Sequence, residues 1–149
     1  MPQSLASLLT HLIFSTKNRK PLLYGKDLQE RTHAYLATVL NDLKCPTVIV
    51  GGVANHVHIL CQLAKTKSVS DVMEHLKASS SKWLKTQGSH AFSWQRGYGV
   101  FSVSQSLVAA VVRYIERQEE HHRTITFEEE YRSILKGYRV VFDERYVWD

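Results

Sequence analysis

Residues 51–60 hold the feature that most limits how this chain can fold, two histidines set one residue apart in an apolar run that follows a glycine pair. Successive side chains of a β-strand point to opposite faces, so His56 and His58 would share one face while Val57 and Ile59 occupy the other. Apolar positions on both faces of the predicted strands favour a sheet that is covered on both faces. Two neutral imidazoles on one rigid face also form half of a metal site.

The size and composition favour an ordinary globular protein. A chain of 149 residues suits one domain with a substantial core, so we expect a single domain over residues 1–149. The formal net charge of +5 makes a polyanion a reasonable partner without identifying one. Cys45 and Cys61 are the only cysteines, and neither a signal peptide nor an apolar run of membrane-spanning length is evident. We therefore expect a cytoplasmic protein with two free thiols and no membrane partner.

The hydrophobic pattern predicts an order of strands and helices. The predicted elements are a strand at 8–15, a helix at about 26–43, strands at 47–50 and 55–63, a helix from Ser68 or Ser70 to about Gln87, a short strand within 94–103, and helices at about 105–123 and 127–136. This β-α-β-β-α-β order with extra C-terminal helices is that of the ferredoxin-like α+β fold, an antiparallel sheet with helices packed on one face. The other face would bind a ligand, or be covered by the extra helices or by a second subunit.

Short signals mark the predicted element ends. Thr126 and Glu129 form a capping box at the start of the last helix, and Ser104 is expected to cap the helix before it. Gly88 and Gly137 are expected to stop the helices that precede them. The glycine pair at 51–52 is expected to end the second strand.

Polar side chains line one edge of the apolar stripe on the helix after Ser104. At about 100° per residue, Tyr114, Gln118 and His121 fall along that edge. A phenol oxygen can act as a nucleophile, and a carboxamide oxygen is a hard ligand that could complete a site begun by two imidazoles. Two histidines and one glutamine leave coordination positions open, which catalysis needs. Such ligands, without a thiolate, favour Mg²⁺ or Mn²⁺ acting on a phosphate oxygen.

Two motifs together resemble those of the single-tyrosine HUH transposases, the insertion-sequence transposases that act on single-stranded DNA. They are His56-Val57-His58 and Tyr114-Ile115-Glu116-Arg117-Gln118. The likeness covers nearly the whole chain and includes Asn55 before the histidine pair and the basic 17–19 segment after the first strand. REP-associated relatives usually carry Asn-Pro at 118–119, where this chain has Gln-Glu, so the resemblance is closer to the insertion-sequence branch.

The resemblance implies a mechanism and assigns residues to it. His56, His58 and Gln118 would bind a divalent ion, Mg²⁺ or Mn²⁺, that polarises the scissile phosphate. Tyr114 would attack the phosphorus to give a 5′-phosphotyrosine link and a free 3′-OH, and reversal with another strand would join DNA without hydrolysis. Cleavage would occur next to a hairpin. The resemblance also implies a homodimer, in which the tyrosine helix of one subunit can serve the histidine pair of the other.

Several basic and aromatic residues are candidate DNA contacts. These are Lys17, Arg19, Lys82, Trp83, Arg96, His121 and Arg123. For Trp83, packing in the core is an open alternative, and for Lys17 and Arg19 a solvated loop is one.

Two other functions are compatible with the same motifs. One is a domesticated, non-catalytic DNA-hairpin-binding protein, in which the site persists without being used. The other is a metal-dependent hydrolase of small phosphoesters that uses His56 and His58 but not Tyr114. Strand cleavage that depends on Tyr114 distinguishes both from a transposase.

Overall fold

In the computed structural model, which describes residues 2–149, four strands form one sheet. They are β1 (Leu9–Ser15), β2 (Thr47–Val53), β3 (His56–Gln62) and β4 (Gly99–Ser102). Their order across the sheet is β2-β3-β1-β4, and each neighbouring pair is antiparallel. The predicted α+β class and ferredoxin-like order are confirmed.

Helices follow the strands in the predicted places. They are α1 (Gly25–Asp42), α2 (Val69–Thr86), α3 (Val108–Glu116), α4 (Gln118–His121) and α5 (Phe127–Gly137). Short 3-10 turns at Lys17–Arg19 and Gln105–Leu107 precede α1 and α3. None of the helices within residues 2–149 has the length and apolar character needed to cross a bilayer.

Helices of the same chain cover both faces of the sheet. On one face, α1 and α2 pack over the main core, which includes Val57, Ile59 and the free thiol of Cys61. On the other face, α5 covers a cluster around Ile13, and α3 covers a cluster around Ile115. His56 and His58 belong to this second face, as strand alternation predicts, and both are fully buried. The extra C-terminal helices therefore cover the histidine pair.

The glycine pair does not end the second strand, contrary to the prediction. β2 continues through Gly51 and Gly52 to Val53. A Cβ atom on Gly51 would lie 2.7 Å from both the side chain and the carbonyl oxygen of Ile115, so this glycine lets α3 lie directly on the strand. Gly52 has a φ of 149°, and a Cβ there would lie 2.3 Å from the carbonyl oxygen of His56. The pair thus serves close packing rather than strand termination.

The predicted continuous helix at 105–123 is broken. Arg117, with φ −98° and ψ 18°, separates α3 from α4. The side chain of Ser104 makes no capping bond and instead lies 3.0 Å from the Ser106 hydroxyl, so that predicted cap is also wrong. Gly137 is the last residue of α5 rather than its stop. The Thr126 cap is confirmed, because its hydroxyl accepts from the Glu129 backbone N–H at 3.1 Å.

Candidate active site

Side chains from three parts of the chain converge on the buried carboxylate of Glu130. His58 Nε2 lies 3.0 Å from Glu130 Oε1, and His56 Nε2 lies 2.9 Å from Gln118 Oε1. Gln118 Nε2 donates to Glu130 Oε2 at 3.0 Å, and the Tyr114 phenol donates to the same oxygen. The four residues singled out from the sequence therefore meet around a fifth, within one chain.

Local structure explains this convergence. β3 fixes both imidazoles on one face, and the close contact at Gly51 seats α3 over them. Despite the break after α3, the Tyr114 phenol and the Gln118 amide both donate to Glu130 Oε2. The Thr126 cap sets the start of α5 and places Glu130 in its first turn, while the Phe127 ring stacks on His56 at 4.3 Å between centroids.

The hydrogen bond behind His56 sets which ring nitrogen faces the site. His56 Nδ1 lies 2.7 Å from Asn55 Oδ1, whose amide nitrogen is turned toward the carbonyl of Arg19. An amide oxygen only accepts, so Nδ1 carries the hydrogen and Nε2 presents a lone pair to the site. Burial lowers the pKa of His56 to about 4, which keeps the ring neutral near pH 7.

The donor set around that lone pair fits a divalent cation. His56 Nε2 faces Gln118 Oε1 at 2.9 Å and Glu130 Oε1 at 3.5 Å, three acceptors with no hydrogen among them when the ring is neutral. The ligand atoms of His56, His58 and Glu130 lie within 4.8 Å of one another. Acceptors held this close repel one another unless positive charge lies nearby, and imidazole nitrogens with carboxylate and amide oxygens are ordinary metal ligands. The three buried residues thus form a possible metal site.

His11 of β1 supports His58 from behind. Its Nε2 lies 2.8 Å from His58 Nδ1, and the side chain is buried. Burial, followed by the neighbouring His58, lowers the pKa of His11 to about 3, so this ring is neutral. When the shared hydrogen is on His58 Nδ1, His58 Nε2 presents its lone pair toward Glu130, and both histidines of the pair are oriented alike.

His122 brings a positive charge to Glu130. Its Nδ1 donates to the Ile125 carbonyl at 2.9 Å, and its Nε2 lies 3.0 Å from Gln118 Oε1 and 3.2 Å from Glu130 Oε1. A ring that donates from both nitrogens is an imidazolium. Although burial opposes this charge, the hydrogen bond to Glu130 and the carboxylate charge raise the pKa of His122 above its ordinary value.

The same contacts set the protonation of the central acid and of the phenol. Burial alone would raise the pKa of Glu130, but the hydrogen bond from His122 is the main opposing contact, and that pKa lies well below the usual range. Burial, together with the Glu130 charge and hydrogen bond, raises the pKa of Tyr114 above its usual value. The resting site therefore pairs a carboxylate with a protonated phenol.

Three residues of this cluster escaped the sequence analysis, namely Glu130, His11 and His122. His11 lies in a predicted strand, in step with apolar Leu9 and Ile13, which is a detectable signal for a polar group on a buried face. Glu130 ends a run of three glutamates, and nothing in the run distinguishes the inward one. His122 is one of two adjacent histidines, and either could have faced inward.

Four of the candidate DNA contacts line two clefts that share Asn18. Lys17 and Arg96 line one cleft, and Arg19 and Arg123 line a groove of about 740 Å³ that reaches His122 and Asn55. Arg19 is partly occupied, since its Nε lies 3.3 Å from Glu128 and its guanidinium lies 5.1 Å from the Trp148 ring centroid.

Lys82 and Trp83 do not join that group. Both are on α2, which packs on the sheet face opposite the histidine pair, and Trp83 stacks on Tyr35 at 4.6 Å. His121 lies at the site, where its Nε2 is 3.3 Å from Glu130 Oε2. His121, His122 and Glu130 form a second group whose ligand atoms could hold an ion.

Comparison with known sequences identifies relatives that span most of the chain. The sequence profile of the family described as "Transposase IS200 like" matches residues 4–118. The transposases for insertion sequence element IS200 of Salmonella typhimurium and Salmonella typhi are each 30% identical over 121 residues, which is 76% of this chain and 78% of theirs. The match to the family profile ends at Gln118, so α5 and Glu130 lie beyond it.

Two solved structures share the fold. A putative transposase from Deinococcus radiodurans R1 superposes with a TM-score of 0.64 at 22% identity, over 79% of this chain and 95% of that one. A REP-associated tyrosine transposase bound to a REP hairpin gives a TM-score of 0.60 at 15% identity, over 84% of this chain and 74% of the other. With the family profile covering far more than half of the sequence, these findings confirm the resemblance stated from the two motifs, and the chain is a member of the IS200-like, single-tyrosine HUH transposase family.

Proposed function

We propose that this transposase cuts and rejoins single-stranded DNA next to hairpins through a covalent 5′-phosphotyrosine intermediate on Tyr114. The observation that carries the proposal is the convergence of the Tyr114 phenol and the paired histidines on Glu130. A nucleophile and a set of metal ligands that share one carboxylate can act on the same phosphate. Neither the hairpin-binding nor the hydrolase alternative needs the phenol at this position.

The residues that would hold the divalent ion are His56, His58 and Glu130, with Gln118 as a further oxygen ligand. Mixed imidazole and oxygen ligands without a thiolate support Mg²⁺ or Mn²⁺. The ion would supply positive charge to the scissile phosphate. Asn55 and His11 would keep the two ligand nitrogens directed inward.

Strand cleavage then proceeds as a balanced transfer. The Tyr114 oxygen bonds to phosphorus, the bond from phosphorus to O3′ breaks, and O3′ leaves with the electron pair and takes up a proton to become a 3′-OH. The phenolic proton passes to Glu130 Oε2, which already accepts the hydrogen bond from Tyr114. Attack by the 3′-OH of another strand on the phosphotyrosine reverses these steps and joins the DNA.

Hairpin and single-stranded DNA are the proposed partners, and the cytoplasm is the proposed compartment. The REP-associated relative was solved with a hairpin bound, which supports the same partner for this chain. The clefts that contain Lys17, Arg19, Arg96 and Arg123 adjoin one another through Asn18 and lead to the site, so these cations are better placed for DNA than Lys82 or Trp83. A homodimer is the proposed assembly, as the family resemblance implies.

The experiment compares wild-type protein and Tyr114→Phe on a radiolabelled hairpin with a single-stranded flank and Mn²⁺. We expect a covalent protein-DNA adduct only with wild type, and equal hairpin affinity for both proteins. Adducts that persist in the variant would exclude Tyr114 as nucleophile. Hairpin binding by wild type without cleavage of any flank would favour the domesticated binder, and phosphoester turnover indifferent to the variant would favour the hydrolase.

A further inference from the structure

A cleft of about 710 Å³ lies beside the helix that carries Tyr114. Tyr114 is the only residue lining it that has a role in the mechanism proposed above. Arg113, Tyr114, Arg117 and His121 line it. Arg113 and Arg117 are four residues apart, so their side chains are neighbours along one helix face. Tyr114 thus borders both the buried carboxylate and this open cleft.

The charges that line this cleft differ from those that line the groove containing Arg19 and Arg123. In the groove, Arg19 and Arg123 are balanced by Glu119 and Glu128, and Arg19 is already paired with Glu128 at 3.3 Å.

In the cleft, by contrast, Arg113 and Arg117 outnumber the single acid, Glu120. Within the part of the chain that the structure describes, neither of these arginines forms an ion pair, whereas Arg19, Arg31, Arg132 and Arg145 do. Two unpaired guanidinium groups on one face form the more favourable binding surface for a strand of phosphates.

His121 connects this cleft to the buried carboxylate. Its side chain lines the cleft, while its Nε2 atom lies 3.3 Å from Glu130 Oε2, the oxygen that also accepts the hydrogen bond from Tyr114. A strand held in the cleft by the two arginines would therefore lie beside the groups that surround the phenol.

We propose that Arg113 and Arg117 bind the backbone phosphates of the strand segment that becomes covalently attached to Tyr114. This inference rests on the proposed function. Attack joins phosphorus to the Tyr114 oxygen, so the nucleotide on the 5′-phosphate side must lie next to the cleft that Tyr114 lines. The segment that leaves with the 3′-OH forms no covalent bond to Tyr114, so its position is not fixed in this way. Holding the attached segment by its phosphates keeps the intermediate in place while the 3′-OH end is exchanged.

The test uses oligonucleotides in which one linkage next to the scissile phosphate is an uncharged methylphosphonate. In one substrate the neutral linkage is in the segment that becomes attached, and in another it is in the segment that leaves. Adduct formation is measured for wild type, Arg113→Gln, Arg117→Gln and the control Arg31→Gln, whose side chain lies on α1 and pairs with Asp27.

For wild type and the control, we expect the neutral linkage in the attached segment to slow adduct formation by roughly tenfold, the loss of one charge-assisted contact. For Arg113→Gln or Arg117→Gln, or both, we expect adduct formation to be slowed already with the fully charged strand. The neutral linkage in the attached segment should then slow it little further. The neutral linkage in the leaving segment acts alike on all four proteins.

Three results would overturn the inference. The first is that the arginine substitutions and the neutral linkage in the attached segment have fully additive effects on the rate of adduct formation. The second is altered sedimentation of Arg113→Gln and Arg117→Gln while the neutral linkage slows their adduct formation as much as it slows that of wild type. That result would assign the cleft to contact between subunits. The third is the absence of any adduct with wild type, which would remove the proposed function as well, whereas the first two leave it intact.

Discussion

Tyr114 donates its phenolic hydrogen bond to Glu130, sixteen residues further along the chain and on another helix. The segment that matches the IS200-like family ends at Gln118, so this bond ties the proposed nucleophile to a helix outside the match. The two oxygens of Glu130 face different groups. Oε1 faces His56, His58 and His122, while Oε2 faces Tyr114, Gln118 and His121. One carboxylate can therefore serve the ion on one side and the phenol on the other.

Replacing Glu130 with Gln should weaken Mn²⁺ binding by at least about tenfold, because a charged ligand oxygen is lost from a buried site. Glu129→Gln is the matched control, since Glu129 is exposed and glutamine preserves its capping-box geometry with Thr126. Isothermal titration calorimetry on both variants measures the difference. Equal Mn²⁺ affinity in the two would show that Glu130 is not a ligand.

Replacing His11 with Leu should reduce Mn²⁺ affinity by roughly 10- to 100-fold, because His58 loses the partner that orients its ring. His11→Gln should recover part of the loss, since a carboxamide can still accept from His58 Nδ1. Electron paramagnetic resonance of free Mn²⁺ during titration gives the affinities. His90→Leu, at an exposed histidine, serves as control. If Leu and Gln at position 11 behave alike, the orienting role is wrong.

Gly51→Ala should separate chemistry from DNA binding. The added methyl group would lie 2.7 Å from Ile115, and overpacking of this kind costs about 1–3 kcal/mol in the free energy of unfolding. Because α3 must shift from β2 to accept it, adduct formation should fall more than hairpin affinity. At Gly137, where a Cβ meets nothing within 4 Å, alanine should leave both unchanged. Equal behaviour of the two variants would refute this packing argument.

The free energy of unfolding should decrease as the pH falls, in part because His33 becomes protonated. Burial lowers the pKa of His33 from its ordinary value of 6.5 to about 4, and its Nε2 has no hydrogen-bond partner among residues 2–149. A folded pKa below the unfolded value means that the contribution is present above 6.5 and is lost as the pH falls toward 4. At about pH 5 the loss should be about 1–2 kcal/mol. Urea unfolding of His33→Gln should show a correspondingly flatter pH dependence, and an unchanged slope would contradict the assignment.

The features that the sequence predicts are those set by local periodicity. Alternation along β3 places His56 and His58 on one face, and helical spacing places Tyr114 above Gln118, without any knowledge of tertiary contacts. The break at Arg117 was not predictable in this way, because the apolar stripe continues across it. Gly51 carried a misleading signal, since a close approach by another element and a strand end both favour glycine.

Glu130 shows the limit of such reasoning. Its role depends on how α5 folds back over the sheet, and the sequence offers three adjacent glutamates of equal appearance. Only the register set by the Thr126 cap directs the third of them inward. His11 was open to detection as a polar residue on an apolar strand face, but its partner follows from the pairing of β1 with β3.

The most direct measurement of the central claim is an anomalous-scattering map at the manganese edge from crystals of the protein grown with Mn²⁺. We expect one strong peak bonded to His56 Nε2, His58 Nε2 and Glu130 Oε1, with the Tyr114 hydroxyl facing the open coordination position. A fully occupied ion bound elsewhere, with these three ligand atoms free of metal, would contradict it.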